Sequence, residues 1–357
     1  MLRGMAALLV VYTHSISQTG IFAIGWQQRT PARISLGTFG VDLFFVISGF
    51  IIYLSAGQLS GRQASLSFLW HRFRRINPTY YAAVLVTVIT WIPSLLHHRR
   101  PSPTGYQVMS WTILLPFPGD PARALSQAWS LYFEWFFYLL FFLLILIRAQ
   151  KKAALLCLLL GSLTVLGWLL QNYLTGVLLF YTDPLLLEFL LGVGIGVLYR
   201  RATLRKSTSL CLLLPGIAFG LVLMLTGYVD YQAVLPPPTS IRYLHAIFWG
   251  SAAALVVAGC VFLEKRNAFI PRHPLLLLLG DASYSLYLFH MIVFGWIAAF
   301  YLRVGFFPDP DLAIPIHAAI AVAGSLLFYK CVEKPLLRWL RSTPPRSKPT
   351  PPRSARP

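Results

Sequence analysis

Charge is the scarcest commodity in this 357-residue chain. Only 11% of its residues are charged, and just eleven are acids, whereas a soluble globular domain carries roughly 25% charged residues. That deficit excludes an ordinary soluble enzyme. A hydrophobic content of 57% excludes a disordered chain. Cysteine is also scarce: Cys157, Cys211, Cys260 and Cys331 each sit in an apolar run, far from one another. Without a C-x-x-C spacing no metal or redox site is expected, and the four thiols read as small buried hydrophobes. No internal repeat of the kind common in transporters is present. The first residues, Met1 to Tyr12, resemble a signal peptide, but no small-x-small cleavage site follows, so they read as a retained first helix.

What is present is a series of long apolar runs. Ten spans fit them: Leu2–Ser17, Thr38–Gly57, Pro78–Leu95, Trp129–Ile147, Ala153–Asn172, Asp183–Tyr199, Ser209–Gly227, Ile241–Leu263, Leu275–Leu302 and Leu312–Val332. The fold class is therefore all-α, a polytopic membrane protein of about ten transmembrane helices. The formal net charge of +19 suggests a nucleic-acid binder at first sight. Its basic residues instead sit in short clusters between apolar runs, which excludes nucleic acid as a partner. With the N-terminus inside, 22 Lys and Arg fall on the cytoplasmic side and seven outside. The positive-inside rule then puts both termini in the cytoplasm. Residues 1–340 form the membrane domain. Residues 341–357, rich in Pro, Ser, Lys and Arg, form a cytoplasmic tail expected to be disordered. The longest outside loop, Leu96–Ala128, holds an apolar stretch from Tyr106 to Phe117 that is too short to span.

Ionisable groups inside spans are costly and mark function by default. Asp42, Glu134, Glu188 and Asp281 fall within spans, as do His14 and His290, and Asp183 and Glu333 lie at span edges. Arg3 and His14 are eleven residues apart, so they share a helix face about 16 Å apart along the axis. That puts Arg3 at the cytoplasmic surface and His14 about midway through the bilayer. His14 is either a base or a buried imidazole bonding across helices. Asp42 shares a face with Gly49, where helices can approach closely. It either orients His14 or pairs with a loop arginine. The inside stretch His71-Arg72-Phe73-Arg74-Arg75, ahead of Pro78 at the expected start of a helix, can bind phosphates or merely signal topology. Ser130 and Glu134 lie one turn apart in the fourth span, behind Trp129 of the aromatic belt. Ser283, Tyr287 and His290 share one face and read as a polar seam. Glu333, at the expected end of the tenth helix, opposes the dipole and so calls for a specific partner.

Arg3-x10-His14, the segment Gly40–Phe50 (GVDLFFVISGF), Arg72–Tyr80, Trp129–Glu134 (WSLYFE), Ser283–His290 and Val332-Glu333-Lys334-Pro335 occur in the order seen in the acyltransferase 3 family. Over residues 2–340 the chain resembles these bacterial integral-membrane O-acyltransferases, in particular the branches acting on exopolysaccharide and O-antigen. The resemblance implies transfer of an acyl group, usually acetyl, from cytoplasmic acetyl-CoA (acyl-CoA) to a carbohydrate acceptor across the bacterial inner membrane. Acetyl-CoA is then a donor substrate, and no permanently bound cofactor or metal is expected. Carried over by motif, His14 is the catalytic histidine and Arg3 its partner. Arg72 and Arg75, with Arg74 beside them, hold the CoA phosphates, and Glu333 is the acid of the late motif. Asp42 would fix the tautomer of His14, Glu134 would line the acceptor side, and the Leu96–Ala128 loop would recognise the sugar. Family members carry several residues ahead of Arg-x10-His, whereas this chain has two. The SGNH-type domain fused to some members is not seen, so its chemistry is not expected. Two other function classes fit ten spans with buried charges: a transporter or flippase of lipid-linked sugars, and a structural part of a polysaccharide export complex.

Overall fold

A computed structural model describes residues 1–25, 36–96, 102–115, 124–230, 239–266 and 273–342. Among these the regular structure is helical throughout, as expected where the backbone must satisfy its own hydrogen bonds in lipid. The helices are α1 (Leu2–Gly25), α2 (Leu36–Ala56), α3 (Arg62–Leu96), α4 (Gly105–Ile113), α5 (Trp129–Leu146), α6 (Lys152–Leu169), α7 (Gly176–Tyr181), α8 (Leu186–Arg201), α9 (Lys206–Thr226), α10 (Thr239–Lys265), α11 (Pro274–Asp281), α12 (Ser283–Val304), α13 (Pro310–Phe328) and α14 (Lys334–Ser342). The tail beyond residue 342 lies outside the described residues.

Nine stretches among the described residues are helical, long and apolar enough to cross a membrane. They account for every expected span but the third. That segment is the second half of α3, a 35-residue helix whose first half carries the arginine cluster. Pro78 therefore lies inside a helix and does not start one. Its missing N–H costs one backbone bond, to residue 74, and the helix continues. The first span is longer than expected, running to Gly25. The ninth is two helices. Backbone at Ala282 (φ −83°, ψ 1°) separates α11 from α12, and Gly4 of α1 presses on α11 at the break. A Cβ on Gly4 would lie 2.8 Å from the Gly280 nitrogen.

The helix beyond α13 does not end at Glu333. A π-helical turn, Tyr329–Glu333, leads straight into α14, with the Lys334 N–H bonded to the Tyr329 carbonyl. Pro335 has no N–H for the residue-331 carbonyl, and the wider turn absorbs the mismatch.

At the centre lies α2, packed against α1, α8 and α10. Glycine makes this possible: a Cβ on Gly49 would meet the Phe189 carbonyl oxygen at 2.1 Å, and one on Gly192 would meet that of Val46 at 2.0 Å. Aromatic rings fill the space beside this contact, with Phe45 against Phe189 and Phe189 stacked on Phe137. Three of the four cysteines are exposed on the bundle surface, which corrects their reading as buried. In a membrane an apolar run can face lipid as readily as protein.

Candidate active site

Three cavities lie in a row through the bundle and share walls. The first, of about 990 Å³, is lined by Arg3, Arg72, Arg74, Arg75 and Glu333, among others. The second is a neck of about 40 Å³ lined by Arg3, Phe44, Glu134, Ser130, Tyr284 and Tyr287. The third, of about 590 Å³, is a chamber walled by His14, Thr13, Gln127, Trp129, Arg242 and Tyr287. Arg3 and Tyr284 belong to both the first cavity and the neck. Val41 and Tyr287 belong to both the neck and the chamber. Arg3 and His14, three turns apart on α1, thus stand in the first cavity and the chamber.

In the chamber, His14 is held from behind by a second histidine. His290 Nδ1 lies 2.8 Å from the Leu286 carbonyl oxygen, and a carbonyl only accepts, so that nitrogen carries the proton. The bare Nε2 of neutral His290 then faces His14 Nδ1 at 3.2 Å. His14 Nδ1 is also 3.0 Å from the Val10 carbonyl. Both partners accept, so His14 donates from Nδ1 and shares that proton between them. Its Nε2 is left as the basic nitrogen. His290 is fully buried. The sequence placed it on the polar seam with Ser283 and Tyr287, and the seam is there. Ser130 and Tyr287 hydroxyls lie 2.7 Å apart, and Tyr287 donates to the Gln127 carbonyl at 2.7 Å. Its bond to His14 was not legible, because 276 residues separate the two.

The first cavity is strongly cationic. Arg72 donates to Ser55 Oγ at 2.9 Å and stands over the rings of Phe68 and Tyr138. Arg74 donates to the Leu340 carbonyl of α14. That contact brings in three cations counted in the sequence only as tail charge: Lys334, Arg338 and Arg341 also line the cavity. Their spacing of four and three residues puts them on one helical face, a signal available in the sequence. Glu333 is buried in the wall, accepting from Ser285 Oγ. Its expected partner therefore exists, although it is a hydroxyl and the helix does not end there.

Several expected placements are corrected. Asp42 does not reach His14. It lies on another face of α2, with Oδ1 3.1 Å from His245 Nε2, so His290 and Val10 hold His14 instead. Glu134 lies in the neck beside Arg3, accepting from Ser48 Oγ at 3.0 Å and from the Tyr138 hydroxyl. It lines the neck and not the chamber of His14. Asp281 is exposed at the helix break rather than inside a span. Asp183 pairs with Arg242 at 2.9 Å. Of the Leu96–Ala128 loop, residues 97–101 and 116–123 lie outside the described residues. Within the rest, α4 starts on a capping box between Thr104 and Gln107. It docks through Trp111 against Trp91 and through Ser110 to Tyr132.

A bundle of membrane-crossing helices around a cationic cavity, a neck and a chamber with a paired histidine defines a multi-pass membrane protein. The acyltransferase domain family matches residues 1–330, and the chain belongs to that family, acyltransferase 3. It is a membrane acyltransferase that transfers groups other than aminoacyl groups. It is 29% identical to the exopolysaccharide production protein ExoZ of Rhizobium meliloti (strain 1021) over 87% of this chain and 93% of the relative. It is 28% identical to the acyltransferase MdmB of Streptomyces mycarofaciens over 98% of this chain and 94% of the relative. A protein of the picA locus of Rhizobium radiobacter is 29% identical over 37% of this chain and 73% of its own length. No solved structure gives a significant match.

Proposed function

We propose that the protein moves an acyl group, acetyl in the first instance, from cytoplasmic acyl-CoA to a hydroxyl of an extracytoplasmic sugar. The observation that carries this reading is the shared wall linking the cationic cavity, the neck and the chamber of His14. The positive-inside count supports cytoplasmic Arg72, Arg74 and Arg75. These arginines, with Arg3 and the α14 cations, bind the CoA phosphates by charge-assisted hydrogen bonds. The pantetheine arm enters the neck, which must widen for it, and carries the thioester toward His14. Glu134 and Glu333 sit along this path, and Asp42 stays off it. The kinship with a protein named for exopolysaccharide production supports a carbohydrate acceptor.

In the chamber, His14 Nε2 takes the proton of the acceptor hydroxyl as its oxygen attacks the thioester carbonyl. The C–S bond breaks, and the proton passes from His14 to the departing CoA sulfur. One ester forms for each thioester consumed. His290 is a positioning residue that keeps the Nδ1–H tautomer of His14.

Mass spectrometry of surface glycans tests this in cells lacking the gene and complemented with wild type, His14→Ala or Arg72→Ala/Arg75→Ala. The expected result is polysaccharide still exported but lighter by one acyl group per acceptor unit in both variants. Acylated polymer with His14→Ala, or loss of export with acylation intact, would point to transport or a structural role.

A further inference from the structure

Asp42, Glu188 and His245, off the proposed acyl path, form a cluster of their own. They come from α2, α8 and α10, and each is 0% exposed. One ligand atom from each lies within 4.8 Å of the other two. Among the described residues this cluster has more hydrogen-bond acceptors than donors. His245 Nδ1 lies 3.2 Å from the Val229 carbonyl, so that nitrogen carries the proton. Its Nε2 faces Asp42 Oδ1 at 3.1 Å, donating to it when the ring is protonated and offering a lone pair when it is neutral. Meanwhile Asp42 Oδ2 and both carboxylate oxygens of Glu188 are buried without a hydrogen-bond partner. Among the described residues, three carboxylate oxygens of two acids therefore converge with no donor to them. Nearby Arg242 is committed to Asp183, and Asp230 takes the Thr38 hydroxyl.

We infer that this cluster binds one divalent transition-metal ion, of the Zn²⁺ class. Two carboxylates and a neutral imidazole offset its charge of two. An imidazole among oxygen ligands favours zinc or manganese over calcium and magnesium. Tetrahedral zinc with ligands at about 2.0–2.2 Å puts neighbouring ligand atoms about 3.3 Å apart, close to the 3.1 Å between His245 and Asp42. The fourth position falls to the second oxygen of Glu188 or to a water. The outer contacts suit a ligand: the Val229 carbonyl orients His245, and Trp249 stacks on its ring at 5.3 Å. Gly250 leaves the room that Glu188 occupies, since a Cβ there would lie 3.0 Å from the Glu188 Cγ. The ion ties three helices together at one end of the bundle and stabilises α2, whose other faces wall the neck.

The test is elemental analysis of the full chain, purified in detergent through a tag without histidine, with thermal unfolding read alongside. About one equivalent of zinc or manganese per chain is expected, on isolation or after Zn²⁺ is added to chelator-treated protein, with Tm rising on loading. Glu188→Gln keeps the shape and removes one charge. It should lower metal content by about tenfold or more and abolish the Tm response. Wild-type protein that neither retains nor takes up stoichiometric metal overturns the inference, and the cluster is then held by two protons. Metal bound equally well by Glu188→Gln lies elsewhere and overturns it too. Should Glu188→Gln fail to fold, His245→Gln is read in the same way.

Discussion

At the residue scale, the proposed reaction turns on the pair His14 and His290. A general base contributes about 10²–10⁴ in rate when its basic nitrogen faces the proton it removes. The chain of Leu286 carbonyl, His290, His14 and Val10 carbonyl sets which nitrogen that is. His290→Ala is therefore expected to lower kcat by about tenfold or more while leaving KM for acyl-CoA unchanged, because His290 lies away from the cationic cavity. His290→Gln keeps an acceptor oxygen for His14 Nδ1–H and should recover much of the lost rate. Steady-state kinetics of the three forms decide it. A packing role alone would give no such rescue, and a donor-binding role would move KM. His14→Gln should remove transfer and leave acyl-CoA binding intact, which equilibrium binding to the purified protein measures directly.

At the element scale, the helices answer to apolar length and to glycine. The contact of α2 with α8 is closed by Gly49 and Gly192, where a Cβ would sit 2.1 and 2.0 Å from backbone oxygens. Backbone cannot yield as a flexible side chain does, so Gly192→Ala should destabilise the protein by about 1–3 kcal/mol. Gly194, two residues on, has nothing within 4 Å. Gly194→Ala should be neutral or stabilising, by up to about 1 kcal/mol from helix propensity. Thermal unfolding in detergent compares the two, and an equal loss would refute the close contact. Apolar runs fixed the existence of the spans, and the Asp42–Gly49 spacing exposed the glycine face. Breaks were harder to read. Gly280 and Asp281 directly precede the break, but one glycine and one acid within an apolar run fit a continuous span equally well, and the close approach of Gly4 to Gly280 is not legible locally. Pro78 read as a helix start because an interior proline looks the same in sequence until the preceding turns are known to be helical. Glu188 was legible only as a costly group inside a span, and His245, in the eighth span, was not singled out. Their meeting with Asp42 depends on three helices whose register no local pattern encodes.

At the scale of the whole molecule, the asymmetry of charge becomes a testable property of binding. Arg3 of α1, Arg72, Arg74 and Arg75 of α3 and the three cations of α14 surround one cavity. Together they make a field that favours a polyanion over a neutral donor. Such a field is screened over about 10 Å at 0.1 M salt and about 3 Å at 1 M. Acyl-CoA affinity should therefore fall steadily as salt is raised, while acyl-pantetheine, which lacks the phosphates, should bind weakly and with no such dependence. Arg338→Ala/Arg341→Ala removes two cations far from His14. At up to about 1 kcal/mol for each partly exposed pair, the Kd for acyl-CoA should rise about 5–30-fold with kcat unchanged. Isothermal titration at two ionic strengths, with both donors and both proteins, separates the possibilities. If acyl-pantetheine shows the same salt slope as acyl-CoA, the cavity does not read phosphates. If the double variant loses kcat with Kd intact, α14 acts on the reaction, and the division into a binding end and a reacting end fails.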